Sequence, residues 1–284
     1  MIYLWVVSIL WAFSFSFIKG ELTGLPSSFV AMVRMAIALL VFIPFFRPEV
    51  FKDKITLKLF GIGALQFGFM YLLYIQSFQY LQAHEVALFT ITTPFFVTLL
   101  YDFFDKKIRI NHLIWVCVCI VGSAVITFSE LTRSNFWLGF FLLQLSNFCF
   151  ALGQVLYKRL FENEKQDQKK AFVPMYFGAL CVTMGLSLWN NSMTGFEVTQ
   201  RQWLILLYLG VLPSGLGFFL WNKGAVTVSS GTLAIMNNMK IPLAIIVAVL
   251  LFGEHTNFVR LVVGGSIIVL SLILNEKKPL KSSY

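Results

Sequence analysis

"GTLAIMNNMKIPLAIIVAVLLFG", residues 231–253, is apolar enough to cross a bilayer, yet two amides, a lysine and a proline stand at its centre. A helix that spans the hydrocarbon core needs about 20 mostly apolar residues. A lysine near the middle of such a helix costs about 2.5–3.5 kcal/mol on insertion scales. Lys240 lies about 11 residues from either end of its run, roughly 16 Å, too far for its stem to carry the ammonium to an interface. It is therefore expected to face a polar cavity or a partner. Asn237, three residues earlier, shares its face, and Asn238 adjoins it. Pro242 cannot donate to the carbonyl of Asn238 and crowds it, which bends the helix and frees an acceptor.

The rest of the chain reads the same way. Of its 284 residues 58% are hydrophobic and 12% charged, against about 25% charged in soluble domains. The mean hydropathy is +0.80. A soluble core of this length could not hide that much apolar surface, so the expectation is an all-α integral membrane protein. Ten segments are apolar and long enough to span: 2–18, 28–46, 57–78, 84–101, 112–129, 136–156, 172–190, 203–221, 229–251 and 259–275. The first has no basic leader and no small-residue cleavage site, so it reads as a span rather than a signal peptide. The four cysteines lie within apolar segments and are expected to be free thiols.

Orientation comes from the basic residues. With the N-terminus inside, sixteen of the 22 Lys and Arg fall on cytoplasmic segments and four on the outer ends, leaving Arg34 and Lys240 within spans. Both termini are then cytoplasmic, with residues 277–284 a short basic tail. The formal net charge of +9 is a topology signal, and its dispersal over short loops argues against a nucleic-acid partner.

Placing Pro94 over Pro242 aligns "EVALFTITTPFFVTLLYDFFDKK" (85–107) with "LAIMNNMKIPLAIIVAVLLFGEH" (233–255), each with a polar cluster before a central proline. "WAFSFSFIK" (11–19) similarly lies over "FALGQVLYK" (150–158). Five spans is an odd number, so the second half is upside down relative to the first. Inverted repeats recur in secondary transporters, and interrupted helices at matching places in the two halves point to a midplane site.

On these features the chain resembles the drug/metabolite transporter superfamily, EamA-like branch. The resemblance rests on "WAFSFSFIK", on the arginine of "VRMAIAL" (33–39), on the Pro94 segment, and on "LFGEHTNFVRLVVGGSIIVLSLIL" (251–274). It implies ten transmembrane helices in two inverted five-helix repeats, residues 1–130 and 136–276. It also implies transport of small metabolites by exchange with protons or another solute. Asp105-Lys106-Lys107 departs from the Gly-Glu usual at that turn.

The candidate substrate-binding residues are Lys240, Asn237 and Asn238 with a stripe on the sixth span. Gln144, Asn147, Ala151, Gln154 and Lys158 recur at helical spacing on one face, which lines a pathway or bonds to neighbouring helices. Gln66 and Tyr74 form a similar face on the third span, with Tyr71 beside it, and Trp11, Ser14 and Phe15 do so on the first. Pro94 and Pro242 are the helix breaks. Glu85 and His84 are the candidates for proton coupling, the competing reading being an exposed helix start. Arg34 reads first as a brace or a snorkelling side chain. Gly210, Ser214, Gly217 and Trp221 read as a helix-packing stripe.

The expected function is secondary active transport by alternating access in a plasma membrane, the bacterial inner membrane in particular, by a monomer or homodimer. Lys240 calls for an acidic group on the substrate and the amides for polar atoms. An amino acid or amino-acid-like metabolite meets both, with S-adenosylmethionine, biotin or an amine or drug as alternatives. A membrane enzyme or a structural membrane protein is the rival class. No cofactor or metal is expected, since His84, His112 and His255 have no partners at metal-ligand spacing.

Overall fold

The computed structural model describes residues 1–22, 24–46, 54–81, 86, 89–127, 136–162, 168–252 and 258–277, apart from some side chains within these ranges. Ten helices, and no strands, are found among the described residues. They are α1 (Ile2–Glu21), α2 (Ser27–Phe42), α3 (Lys54–Gly63, Ala64–Phe69 and Met70–Ser77), α4 (Thr93–Asp105) and α5 (Ile110–Thr127), followed by α6 (Phe136–Phe161), α7 (Gln168–Trp189), α8 (Gln200–Leu209, Gly210–Leu216 and Gly217–Val226), α9 (Ser230–Phe252) and α10 (Phe258–Lys277). Five stretches are long and apolar enough to cross a membrane: Ser27–Phe45, Ile55–Ser77, Phe136–Phe161, Gln168–Trp189 and Gln200–Val226. Shorter apolar helices run over Ile2–Ser14, Ile110–Gly122 and Val259–Asn275.

The helix contacts pair the two halves. Helix α2 packs on α7 and α5 on α10, α1 packs on α9 as α6 packs on α4, and α3 packs on α7 as α8 packs on α2. Both α3 and α8 contain a widened π-helical stretch, Ala64–Phe69 and Gly210–Leu216. In α8 the stretch holds Pro213, whose missing N–H a wide turn accommodates. Close helix contacts are made beside and within these stretches. A Cβ on Gly63 would stand 2.0 Å from the Met175 carbonyl oxygen, one on Gly178 2.2 Å from that of Phe60, and one on Gly210 2.6 Å from Ile37 Cβ. Small residues let helix backbones meet without intervening side chains, which is the packing reading of the Gly210 stripe.

The two prolines expected to break helices act differently. A turn at Ile91–Thr92 precedes α4, which starts at Thr93 with Pro94 in its first turn, as its missing N–H permits. Pro242 instead lies inside an uninterrupted α9, where the loss of one backbone bond is absorbed by the turns on either side. The carbonyls released before Pro94 are taken up by side chains. Phe89 O accepts from Gln144 Nε2 (3.2 Å) and Asn147 Nδ2 (2.9 Å), Thr90 O from the Thr93 hydroxyl (2.8 Å), and Ile91 O from Asn238 Nδ2 (3.1 Å). Helices α6 and α9 thus hold the broken helix of the first half.

The divergent turn after α4 is a charged clasp. Arg109 donates to Asp102 Oδ1 (3.1 Å) and to Asp105, and Asp105 also accepts from Arg159 at the end of α6. Burial works to raise the Asp105 carboxyl, but hydrogen bonds from the two guanidinium groups outweigh it and hold the carboxyl below its ordinary value. Its contribution to stability is therefore present at neutral pH and is lost as the pH falls through that lowered value. Lys106 closes α4 in the left-handed region at φ 50°.

The tight crossing of α3 and α7 yields a direct test. Gly178→Ala is expected to destabilise the detergent-purified protein by about 1–3 kcal/mol through overpacking. Gly185→Ala, on the same helix with nothing within 4 Å of its Cβ, is expected to be neutral or slightly stabilising. Thermal unfolding of the two variants in parallel measures the difference.

Candidate functional site

A central cavity of about 590 Å³, its opening included, lies among α1, α2, α3, α4, α6, α8 and α9. Four of the residues anticipated from sequence line it: Trp11, Tyr74, Asn147 and Lys240. Arg34, Tyr71, Thr90, Thr93, Phe150 and Phe218 line it as well. The side chain of Phe15 and residues His84 and Glu85 lie outside the described residues.

Lys240 has no hydrogen bond or acidic partner among the described residues. Its ammonium sits 5.4 Å from the ring centre of Trp11 and 5.9 Å from that of Phe150. Aromatic faces attract a cation without neutralising it. Trp11 is held in place by donating its indole N–H to Pro213 O (3.1 Å) and by packing on Trp221 with centroids 4.8 Å apart.

Arg34, which the sequence marks only as a brace, is 1% exposed and faces the same cavity. Its Nε donates to Ser214 Oγ (3.1 Å) and its Nη2 to the Tyr71 hydroxyl (2.5 Å), while its Nη1 is buried and finds no acceptor among the described residues. The π-helical stretch of α8 therefore fixes both Trp11, through Pro213, and Arg34, through Ser214. Tyr176 in turn donates to the carbonyls of Ser214 and Gly215 (2.6 and 2.7 Å).

No acidic side chain lines the cavity among the described residues. Two cations facing one cavity with no acid in its described lining suit an anionic ligand. The arrangement does not support the amino acid expected from sequence, because among the described residues the α-ammonium of a zwitterion would meet two like charges and no carboxylate.

The other expected binding amides lie outside the cavity lining, bonded to neighbouring helices or, for Asn237, to the backbone of its own helix. Gln66 and Asn222 exchange reciprocal hydrogen bonds of 2.9 and 3.1 Å, and Gln154 Oε1 accepts from Trp221 Nε1 at 2.8 Å. Asn237 donates back to Leu233 O (2.8 Å), Asn238 bonds Ile91 O, and Gln144 accepts from the Thr92 hydroxyl (2.7 Å) while holding Phe89 O. Along α3, α6, α8 and α9, the amides of Gln66, Gln154, Asn222 and Asn237 come about one turn beyond the cavity residues of the same helix. Beyond them lies a second, charged cavity of about 1330 Å³ lined by Arg109, His112, Lys158, Arg159, Glu162 and Asn275 among others. A layer of buried amides separates the two spaces. No group of three or more His, Cys, Asp or Glu placed to hold a metal occurs among the described residues.

The family model of the EamA-like transporter family matches residues 1–128 and 137–276. The "Biotin transporter" of Escherichia coli (strain K12) is 38% identical over 274 residues, covering 96% of this chain and 91% of that protein. The "Probable biotin transporter" of Pseudomonas aeruginosa is 38% identical over 279 residues, covering 97% of each. A protein of known crystal structure, 15% identical, superposes with a TM-score of 0.77 over 96% of each chain, which shows a shared fold. The relatives are named as transporters, not enzymes. With two matches that cover nearly its whole length, this chain belongs to the EamA-like transporter family and is a membrane transporter of a small metabolite.

Proposed function

We propose that this protein carries biotin across the bacterial cytoplasmic membrane by alternating access, using the central cavity as its binding site. The observation that carries the reading is the pair of cations, Lys240 and Arg34, in a cavity whose described lining has no acid. Biotin is a carboxylate on an alkyl chain that ends in a fused, largely apolar bicycle. Its carboxylate suits the Lys240 ammonium, which has no acidic partner among the described residues, and its body suits Trp11, Phe150 and Phe218. The 38% identity to proteins named as biotin transporters supports the same substrate. S-adenosylmethionine and amines, cationic themselves, are disfavoured by the same two charges.

In this account the ten helices are ten spans in two inverted repeats, and both termini are cytoplasmic. The exchange of helix contacts between the halves and their matching π-helical stretches support the repeat. The charged cavity is formed by the ends of α4, α6 and α10 and the starts of α1, α5 and α9, as antiparallel spans require. Its basic residues support a cytoplasmic position for that end. Passage inward or outward requires the amide layer of Gln66, Asn222, Gln154 and Trp221 to part on that side while the cavity closes on the other. The clasp at Asp105, which joins the first half to α6, is then part of the cytoplasmic closure.

Uptake of labelled biotin into proteoliposomes tests the site. Lys240→Met is expected to lower biotin transport about ten-fold or more, as loss of a hydrogen bond to a charged group does. Undiminished transport by a folded Lys240→Met protein would remove the basis of the reading. Topology is tested separately, in a background lacking the native cysteines. A thiol introduced as Lys107→Cys, at an exposed turn, is expected to react with impermeant reagents only from the cytoplasmic face. Labelling from outside would invert the orientation.

A further inference from the structure

From the way Arg34 is held, we infer that the cavity has a second recognition pole, at which Arg34 and Asn147 read a neutral cyclic urea while Lys240 takes the carboxylate. This assignment rests on the biotin reading and divides the two ends of that ligand between named residues.

A guanidinium grips a carboxylate best through two parallel N–H bonds from one edge. On Arg34 the edge formed by Nε and Nη2 is occupied by Ser214 and Tyr71, whose oxygens lie 3.3 Å apart. The Tyr71 ring also stacks beneath the guanidinium carbon at 4.2 Å. The group is locked in place, and Nη1 is its one nitrogen without an acceptor among the described residues. A buried donor left unsatisfied is costly, and a ligand oxygen would relieve it. Nη1 and the second N–H of Nη2 remain for a ligand oxygen, and a urea carbonyl can accept from them. What distinguishes a urea from a carboxylate at this pole is its adjacent N–H, which needs an acceptor beside the guanidinium. Lys240, anchored by no hydrogen bond among the described residues, presents a compact ammonium with three donors and suits the carboxylate.

Asn147 supplies the complementary half. Its Nδ2 is consumed by Phe89 O (2.9 Å) and the Thr92 hydroxyl (3.3 Å), which fixes the amide with its Oδ1 as the remaining group. That oxygen is an acceptor, and Asn147 lines the cavity. A urea needs a donor for its carbonyl and an acceptor for its N–H, and Arg34 and Asn147 offer one each. The broken helix before Pro94 is thereby tied to recognition, because its orphan carbonyl at Phe89 dictates which end of Asn147 faces the ligand.

The test is competition against labelled biotin in proteoliposomes with three probes. Biotin amide lacks the carboxylate. Iminobiotin replaces the urea oxygen by an imine that is cationic at neutral pH. A straight-chain dicarboxylate of biotin's length carries a second carboxylate where the urea would be. In the wild type all three are expected to compete poorly. Arg34→Gln is expected to narrow the preference for biotin over iminobiotin about ten-fold or more and to leave the preference over biotin amide within about two-fold. Lys240→Met is expected to do the reverse.

An Arg34→Gln protein that transports biotin with both preferences unchanged, or with only the amide preference lost, overturns the assignment and leaves the biotin reading standing. A wild type that transports no biotin overturns both. If Arg34→Gln fails to fold, Asn147→Asp replaces the acceptor amide by an acid at the same pole. Iminobiotin is then expected to compete at least about ten-fold better, since its cationic end meets a carboxylate. No gain overturns the assignment.

Discussion

A backbone carbonyl without a helical partner cannot stand in hydrocarbon, because no water is there to satisfy it. Most of this protein's centre follows from that constraint. The irregular backbone before Pro94 and in the π-helical stretch of α8 can exist only where other helices bring donors to it. Gln144 and Asn147 supply them at Phe89, Asn238 at Ile91, Trp11 at Pro213, and Tyr176 at Ser214 and Gly215. These contacts tie α1, α6, α7 and α9 to the broken helices. The same contacts set the orientation of Trp11 and Asn147 where they face the cavity. Irregular backbone and binding site are thus one construction, as expected where a transporter's interrupted helices line its substrate path.

Charge is the basis of the proposed selectivity. A lysine and an arginine facing one cavity repel each other, and their described surroundings provide aromatic faces and hydroxyls rather than carboxylates. In the proposed function an anion relieves that repulsion, so part of the cost of burying the two cations is recovered in binding. Further along the same helices, the amides pair with neutral partners. Neutral pairs can part and re-form at less cost than a buried ion pair. That is a reasonable material for a barrier that must open in each cycle, whereas the charged clasp at Asp105 lies nearer the end of the bundle, where side chains of the clasp are partly exposed.

Much of this was legible in the sequence. The helical periodicity of the sixth span is a reading of one face, and its members fall in order along the molecule. Gln144 holds the break, Asn147 borders the cavity, Gln154 joins the amide layer and Lys158 reaches the charged cavity. Lys240 is legible because a lone midspan lysine is costly enough to need a reason. Other features were not legible. An amide on an apolar helix satisfies the same spacing whether it meets a ligand or another amide, so Gln66 could not be told from Asn147. Arg34 carried a signal equal to that of Lys240, but its nearness to a span end gave an innocent explanation. The π-helical stretches leave little trace in a pattern of apolar residues, although Pro213 beside Gly210 and Gly215 marks one of them. Pro94 and Pro242 have matching neighbours in sequence and still differ in effect: side chains of α6 and α9 take up the carbonyls before Pro94, whereas α9 runs through Pro242 unbroken.

The proposed function requires that the cavity bind an organic anion by its carboxylate. The most direct measurement is thermal unfolding of the purified protein against biotin, biotin amide and a panel of amino acids. A ligand at 100 times its dissociation constant stabilises by about 2.7 kcal/mol, enough to move the transition visibly. The account predicts stabilisation by biotin and little by biotin amide or by any zwitterionic amino acid. Stabilisation by an amino acid, with none from biotin, would contradict it.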